Sequence, residues 1–461
     1  MEHVDVAVVG GGPGGTAAAR AAAAGGADTV LFEKGVPRED RDGLGADSTD
    51  AAGMLDYWVD IMGIPFEELP DELILREFDR SEFIGPEETL SIGVTGIEAS
   101  YDGFGFAFDR RKFDDWMHER AEAAGASIRV GTSVTQVDST AEAGGYTHTL
   151  SLADGETLAA DALVLADGPQ RQVSLETVEQ FLPAGSDALN CLSPPTANHI
   201  AYQEHRRIPE ELFDPAAIKF YWGWMPGETA YPWIFPNDGN IARVGLTMPI
   251  GMDLDSVPNP ESYRLLDPED DQLPSGSEYI ERLLDTLYGD EYDVETDFPL
   301  VETRGKRNGT ETYPISSTRP IDSPVEADIA VVGGAMGTTS AFHEGGTHVA
   351  VGSGRVAGTL AAEGRLEAYN DGWKEVIGGE LHRNVALADM VSEYEPADWD
   401  RAFGAVEEML SQQSDGWNVT RRLAMSAAGG LKLYTGYKRA KFRHRNGSYV
   451  QLAESEYVYK K

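Results

Sequence analysis

The hydrophobic pattern opens with the uninterrupted apolar run Val6 to Val9, bounded by glycines and too short for a helix, which predicts a fully buried strand. Alanines from about Thr16 predict a helix, and Thr29-Val30-Leu31-Phe32 a second buried strand. The same short apolar signature returns at Ala162–Leu165 and Ala327–Val332, each time running into a glycine turn, and the later one leads into a long helix through Ala361. From Asp109 to Ala124 the apolar positions recur at helical spacing, and strands are expected at Ser127–Val130 and Ser133–Val137, with a polar hairpin near Gly144-Gly145. Residues 176 to 295 differ in character. They are rich in aromatics and Pro/Gly turns, with strands expected at Ile218–Trp224, Ala230–Phe235 and Ile241–Met248, joined through Pro226-Gly227 and Asn237–Asn240. Asp253–Gly276 reads as an acidic surface insertion, and a helical tail ends the chain.

The first strand, turn and helix contain Gly10-x-Gly12-x-x-Gly15. Gly10 permits the tight turn, Gly12 lets backbone approach a pyrophosphate, and Gly15 lets helix and strand pack closely, so phosphates can rest on the helix N-terminus. Pro13 suits the first helical turn, where its missing N–H has no consequence. Glu33 ends the second strand about 20 residues on, where a carboxylate can take ribose hydroxyls and repel a 2′-phosphate. The motif alone does not choose between FAD and NAD. A polar glycine-rich loop, Arg41 to Ser48, is placed to lie over a bound ligand.

Composition adds a constraint on the surroundings. The 461 residues carry 78 Asp and Glu against 37 Lys and Arg, a formal net charge of −41 spread along the whole chain. This resembles adaptation to a salt-filled cytoplasm, as in a halophilic archaeon, because at about 1 M salt the Debye length falls to roughly 3 Å. It argues against nucleic acid as a partner. Cys191, the single cysteine, excludes intrachain disulfides and multi-cysteine metal sites, and is expected to be a buried small hydrophobe. No metal site is expected. Neither a signal peptide nor a membrane-spanning run is visible, so the expected location is cytoplasmic with any membrane contact peripheral, at the inner surface. The one basic cluster, Lys432, Lys438, Arg439, Lys441, Arg443, His444 and Arg445, can meet anionic headgroups or pair with the protein's own carboxylates.

The glycine cradle, the strand ending in Asp167-Gly168 and the strand, glycine turn and helix from 329 to 361 stand in the order that resembles the FAD domain of the para-hydroxybenzoate hydroxylase superfamily. Within it the chain is similar to the geranylgeranyl reductases, including those that saturate digeranylgeranylglycerophospholipids, through Tyr231-Pro-Trp233-Ile-Phe235-Pro236 and the following Asn240–Gly245. Flavin-dependent halogenases favour W-x-W-x-I-P, which is absent. The resemblance implies an α/β fold: a Rossmann-like FAD-binding domain of the glutathione reductase or para-hydroxybenzoate hydroxylase type, with an α+β antiparallel-sheet substrate domain and a helical C-terminal region. The FAD unit is expected at 1–75, 96–175 and 296–365, the substrate unit at 76–95 and 176–295, and the helical region with its basic tail at 366–461. By position, the resemblance assigns FAD contacts to Gly10, Gly12, Pro13, Gly14, Gly15, Glu33, Lys34, Gly45, Ala46, Arg110, Val134, Asp167, Gly168, Gly334, Gly345, Gly346 and Thr347. Two departures stand out. The third FAD segment normally reads Gly-Asp-Ala, whereas this chain has Gly333-Gly334-Ala335; and many relatives carry Cys-Gly where Gly45-Ala46 stands.

These features imply FAD as cofactor and a prenyl lipid as substrate. Reduced flavin would supply hydride to an isolated alkene, and a side chain or trapped water the proton. Trp222, Trp224, Tyr231, Trp233 and Phe235, with Phe220, are expected to form the apolar wall of a lipid slot, core packing being the alternative for each. His343 is the proton donor to test, a loop-capping histidine being the other reading; Tyr231 is a second candidate. No second dinucleotide fingerprint is visible, leaving a ferredoxin or NAD(P)H as electron donor. A monooxygenase or halogenase-like flavoenzyme, or a non-catalytic prenyl-binding protein, are the competing functional classes at this level.

Overall fold

A computed structural model of the chain describes residues 1–36, 52–413, 427–445 and 447–459. The N-terminal apolar run lies in the middle of a seven-stranded sheet. Glu2–Val9 pairs in parallel with Thr29–Phe32 on one side and Thr157–Leu165 on the other. Ser127–Arg129 and Ile329–Val331 extend the parallel part. Thr157–Leu165 changes neighbour along its length, pairing antiparallel with Gly145–Leu152 at its start and parallel with Ile329–Val331 at its end. Central parallel strands are covered on both faces and so are apolar on both; Ala7, Val8, Leu31, Leu163 and Val164 are fully buried.

The first helix spans Pro13–Ala24, starting three residues before the alanine run because Gly12 is the extended N-cap and proline presets the first helical φ. It packs backbone to backbone on the later helix, Thr347–Ala362. A Cβ on Gly354 would fall 1.9 Å from the Gly14 carbonyl oxygen, and one on Gly358 2.0 Å from that of Ala18. Glycine is required there by approach distance, and the contact brings two helix N-termini to one place.

A second seven-stranded sheet runs Thr310–Ile315, His199–Arg207, Ile241–Pro249, Tyr231–Pro236, Ala217–Tyr221, Arg80–Ile84, Thr89–Ile92. All its pairings are antiparallel except that of Ala217–Tyr221 with Arg80–Ile84. Thr310–Ile315 falls inside the stretch assigned by sequence to the FAD unit, yet pairs here with His199–Arg207. A three-stranded sheet of Gly53–Leu55, Gly105–Phe108 and Ile74–Phe78 lies between the two in chain connectivity.

The C-terminal region is not a free tail. Trp399 and Phe403, on helix Pro396–Gln413, are buried in the same cluster as Trp222, whose ring lies 4.5 Å from that of Trp399. Beyond helix Ala427–Arg443 the chain returns to the first sheet's side: the Asp322 N–H donates to the Leu452 carbonyl at 2.9 Å, and the Tyr457 hydroxyl to the Asp322 carbonyl at 2.6 Å. Of the basic cluster, Arg443 pairs with Asp389 at 2.6 Å. No helix among the described residues is long and apolar enough to cross a membrane. Cys191 is exposed at the end of the short helix Ala188–Cys191, correcting the expectation that it is buried.

Candidate active site

A cavity of about 580 Å³ runs from the glycine cradle to the second sheet. Its cradle end is formed by Gly12, Pro13 and Gly14, by Ala166, Gly168 and Pro169 of the turn after Thr157–Leu165, and by Gly333-Gly334. Two helices begin here, at Gly12 and Gly346, and neither has a side-chain cap or an acidic residue in its first turn. Their free N–H groups and dipoles point positive partial charge at the cavity. At Gly12 an added Cβ would meet nothing within 4 Å, whereas at Gly15 it would lie 1.9 Å from the Gly10 oxygen. Gly12 therefore fronts open space and Gly15 serves packing.

Around this cradle the polar groups are held in place. Glu33 accepts from the Gly11 N–H at 2.7 Å and from the Gly35 N–H at 2.6 Å, which fixes its carboxylate on the turn with acceptor capacity left over. Lys34 is exposed beside it, and Val134 is buried at the start of the strand whose approach, Gly131-Thr132, bonds the Gly35 and Glu33 carbonyls. Arg110 opens its helix as expected, pairs with Asp114 at 2.7 Å and reaches the Thr347 hydroxyl at 3.2 Å. His118 on the same helix contacts the Gly11 carbonyl at 2.7 Å. An FAD pyrophosphate and a flavin fit this set: two open helix N-termini, a cation and a carboxylate on the ribose side.

Two expectations are corrected, at Asp167 and Trp224. The Asp167 carboxylate does not face the cavity; it accepts from the Val173 and Ser174 N–H groups, at 2.6 and 3.0 Å, and so caps the next helix. Gly334 lines the cavity as expected, and a Cβ there would lie 3.2 Å from Cδ and the backbone nitrogen of Pro169, so a larger residue would need the Asp-Gly-Pro turn to give way by a few tenths of an ångström. Trp224 does not share a wall with Trp222. The strand ends at Tyr221, and Gly223, at φ 75°, breaks the alternation that would have put both indoles on one face. Trp224 packs on the opposite side of the sheet among Tyr279, Leu283 and Phe298, its indole N–H donating to the Gly85 carbonyl at 3.0 Å. Gly45 and Ala46 lie outside the described residues.

The far wall is aromatic. Phe220, Trp222, Tyr231, Trp233 and Phe235 line it, with Phe342 stacked on Trp222 at 5.1 Å. The Tyr231 hydroxyl donates to the His343 carbonyl at 2.5 Å, and burial, aided by Glu344, pushes its pKa well above the usual tyrosine value. Opposite lies a polar cluster that sequence reasoning missed. His343 Nδ1 accepts from the Gly345 N–H at 3.3 Å while its Nε2 faces Glu380 at 3.7 Å; His348 approaches the same carboxylate at 3.8 Å and stacks on Trp58 at 4.0 Å. Burial opposes ionisation of Glu380, but His343, His348 and Arg383 outweigh it and hold its carboxyl far below the usual range. Burial keeps His348 neutral by lowering its pKa. Glu380, Arg383 and Asn384 come from the C-terminal helix Gly378–Val391, outside every FAD segment of the sequence, so no pattern local to the turns could place them.

Glu344 was also missed, although it adjoins the glycine pair. Its side chain is 3% exposed, on the cavity wall, within hydrogen-bond reach of the Thr229 and Thr247 hydroxyls. Burial pushes its carboxyl up to about 8.

Comparison with known proteins agrees with this geometry. Over 84% of its length the chain is 26% identical to digeranylgeranylglycerophospholipid reductase 2 of Methanopyrus kandleri, covering 87% of that protein, and it is 22% identical to reductase 1 of Methanococcoides burtonii over 76% of each. Over most of its length the chain is similar to the geranylgeranyl reductases, at about 22–26% identity. Residues 5–201 of this reductase-like chain also match the family described as glucose inhibited division protein A. Among solved structures, a geranylgeranyl bacteriochlorophyll reductase-like protein from Thermoplasma acidophilum superposes with a TM-score of 0.65 at 20% identity, covering 92% of this chain and all of that one. The myxobacterial chondrochloren halogenase shares the fold at a TM-score of 0.55 and 18% identity over 98% of this chain. The chain is thus a geranylgeranyl reductase-like FAD-dependent oxidoreductase with the para-hydroxybenzoate hydroxylase-like fold.

Proposed function

We propose that the protein saturates C=C bonds of geranylgeranyl chains carried by ether phospholipids of the archaeal type, using reduced FAD. The observation that supports this reading best is the continuity of one cavity from two uncapped helix N-termini to an aromatic wall without a charged side chain on its sheet face. A prenyl chain gains about 0.8 kcal/mol per methylene on leaving water for such a wall. An isolated alkene accepts hydride poorly, so exclusion of water and close placement must supply much of the rate.

FAD bound in the cradle would provide the hydride. Gly12, Pro13 and Gly14 would accommodate its pyrophosphate, Glu33 a ribose, Arg110 the phosphate side, and Gly345, Gly346 and Thr347 the polar edge of the flavin. Trp222, Trp233 and Phe235 would hold the prenyl chain, and Tyr231, held to the His343 carbonyl, would line the slot. The external electron donor is a ferredoxin or NAD(P)H. The helix carrying Lys438, Arg439, Lys441 and Arg443, with Phe442 64% exposed, would rest against anionic headgroups as a peripheral contact.

The test is incubation of a digeranylgeranylglycerophospholipid with the flavin-loaded protein and dithionite in molar KCl, followed by mass spectrometry. Stepwise gain of H2 is expected. Yellow protein with unchanged lipid would move the assignment to hydroxylation or halogenation, and protein that binds the lipid without binding flavin to a prenyl carrier.

A further inference from the structure

Saturating an alkene needs a proton as well as a hydride, and the cavity offers three groups close to the Gly345-Gly346 turn. Tyr231 gives its O–H to the His343 carbonyl, and burial makes it a weaker acid still. His343 accepts the Gly345 N–H at Nδ1, so the proton of the neutral ring sits on Nε2, which faces the Glu380 carboxylate at 3.7 Å. That proton faces the polar cluster, away from the aromatic wall. Glu344 is placed differently. It stands between the Tyr231 strand and the turn that opens helix Thr347–Ala362, and its carboxyl lies on the cavity wall.

We propose that Glu344 is the proton donor of the reduction, delivering its carboxyl proton to the alkene carbon that does not take the hydride. This rests on the reductase reading above. The surroundings suit a neutral acid. Thr229 and Thr247 hydroxyls contact its two oxygens, Tyr231 lies near from the adjacent strand, and His199 Nε2 is 3.7 Å away. No arginine or lysine pairs with Glu344 among the described residues. Burial pushes its carboxyl up to about 8 and lowers His199 to about 4, so at neutral pH the acid carries its proton beside an uncharged imidazole. The backbone of Glu344 is held at φ 56°, a region that non-glycine residues adopt seldom and that surrounding structure must enforce.

The step balances. FAD, reduced and held by the cradle residues, would supply hydride to one carbon of the double bond and would be left oxidised. Glu344 supplies the proton to the other carbon as the π pair becomes the second C–H bond. The resulting carboxylate regains a proton from solvent, by way of His199, before the next reduction.

The test uses full-length, FAD-loaded protein in molar KCl. Glu344→Gln preserves shape and can still bond both threonines, but it has no acidic proton; Glu344→Asp keeps the acid. Two readouts are required. Difference infrared spectra between native protein and E344Q, both FAD-loaded, should show a protonated-carboxyl C=O band that belongs to the native chain and titrates near pH 8. In single-turnover reduction of a geranylgeranyl lipid by pre-reduced protein, E344Q should be slower by about 100-fold or more with lipid binding retained, and E344D should recover part of the rate. Native protein that reduces no prenyl lipid would overturn the reductase reading and this step with it. Native protein that is active, with E344Q matching its rate or with no titrating band, overturns the Glu344 assignment alone.

Discussion

Glu344 carries a stability consequence as well as a chemical one. Its folded-state pKa is raised from 4.5 to about 8, chiefly by burial, so the native state holds a proton that the unfolded chain releases above pH 4.5. Stability from this group is complete below pH 4.5 and is lost as pH rises to about 8. Thermal melts of E344Q in constant salt should therefore decline less between those limits than melts of the native chain. Gly334 makes a second case. Restoring the expected carboxylate by G334D should not tighten FAD binding, because the new Cβ meets both Cδ and the backbone nitrogen of Pro169 at 3.2 Å; adding P169A removes only the first contact and should not rescue it, as read by flavin fluorescence titration. Both residues stand in visible motifs. What their neighbours allow was not visible, because Thr229, Thr247, His199 and Pro169 reach them only through the fold.

Elements show how local pattern and tertiary contact divide the work. Gly354 and Gly358 look like ordinary helical glycines, yet they set the separation of the two cradle helices. Ala at either position should destabilise the chain by about 1–3 kcal/mol or more and release FAD, measurable by denaturant titration and flavin retention. The pair Trp222 and Trp224 gives a sharper contrast. W224A should cost about 3–5 kcal/mol of stability through lost core packing under helix Gly276–Tyr288 while leaving the cavity shape intact. W222A should enlarge the cavity and weaken prenyl-lipid binding. Period-two reasoning placed both on one face, and one glycine at positive φ undid it. His199–Arg207 escaped detection for another reason. Its interior residues Gln203, Glu204 and His205 are polar and buried, and two of them bond Glu311, at 2.5 Å from Gln203 Nε2 and 3.2 Å from His205 Nε2, on a neighbouring strand more than 100 residues away. Such a strand has no hydrophobic alternation to read.

At the scale of the whole molecule, 41 uncompensated negative charges repel one another in dilute buffer. Lowering KCl from molar to about 0.1 M lengthens the Debye screening distance from about 3 to 10 Å, so the melting temperature should fall and FAD be lost together. A neutral osmolyte should not replace the salt. The same scale explains the candidate site. The sequence by itself determined the parallel sheet, the cradle, the order of the FAD segments and the aromatic strand, because each is written in residues close together: apolar runs, glycines at fixed spacing, aromatics at alternate positions. Only the tertiary structure decided which side chains share the cavity. The helix Gly378–Val391 delivers Glu380 and Arg383 to it, Asp167 turns away to cap a helix, and Glu344 becomes an acid that keeps its proton, since burial and partners drawn from distant strands set a side chain's chemistry after the chain has folded.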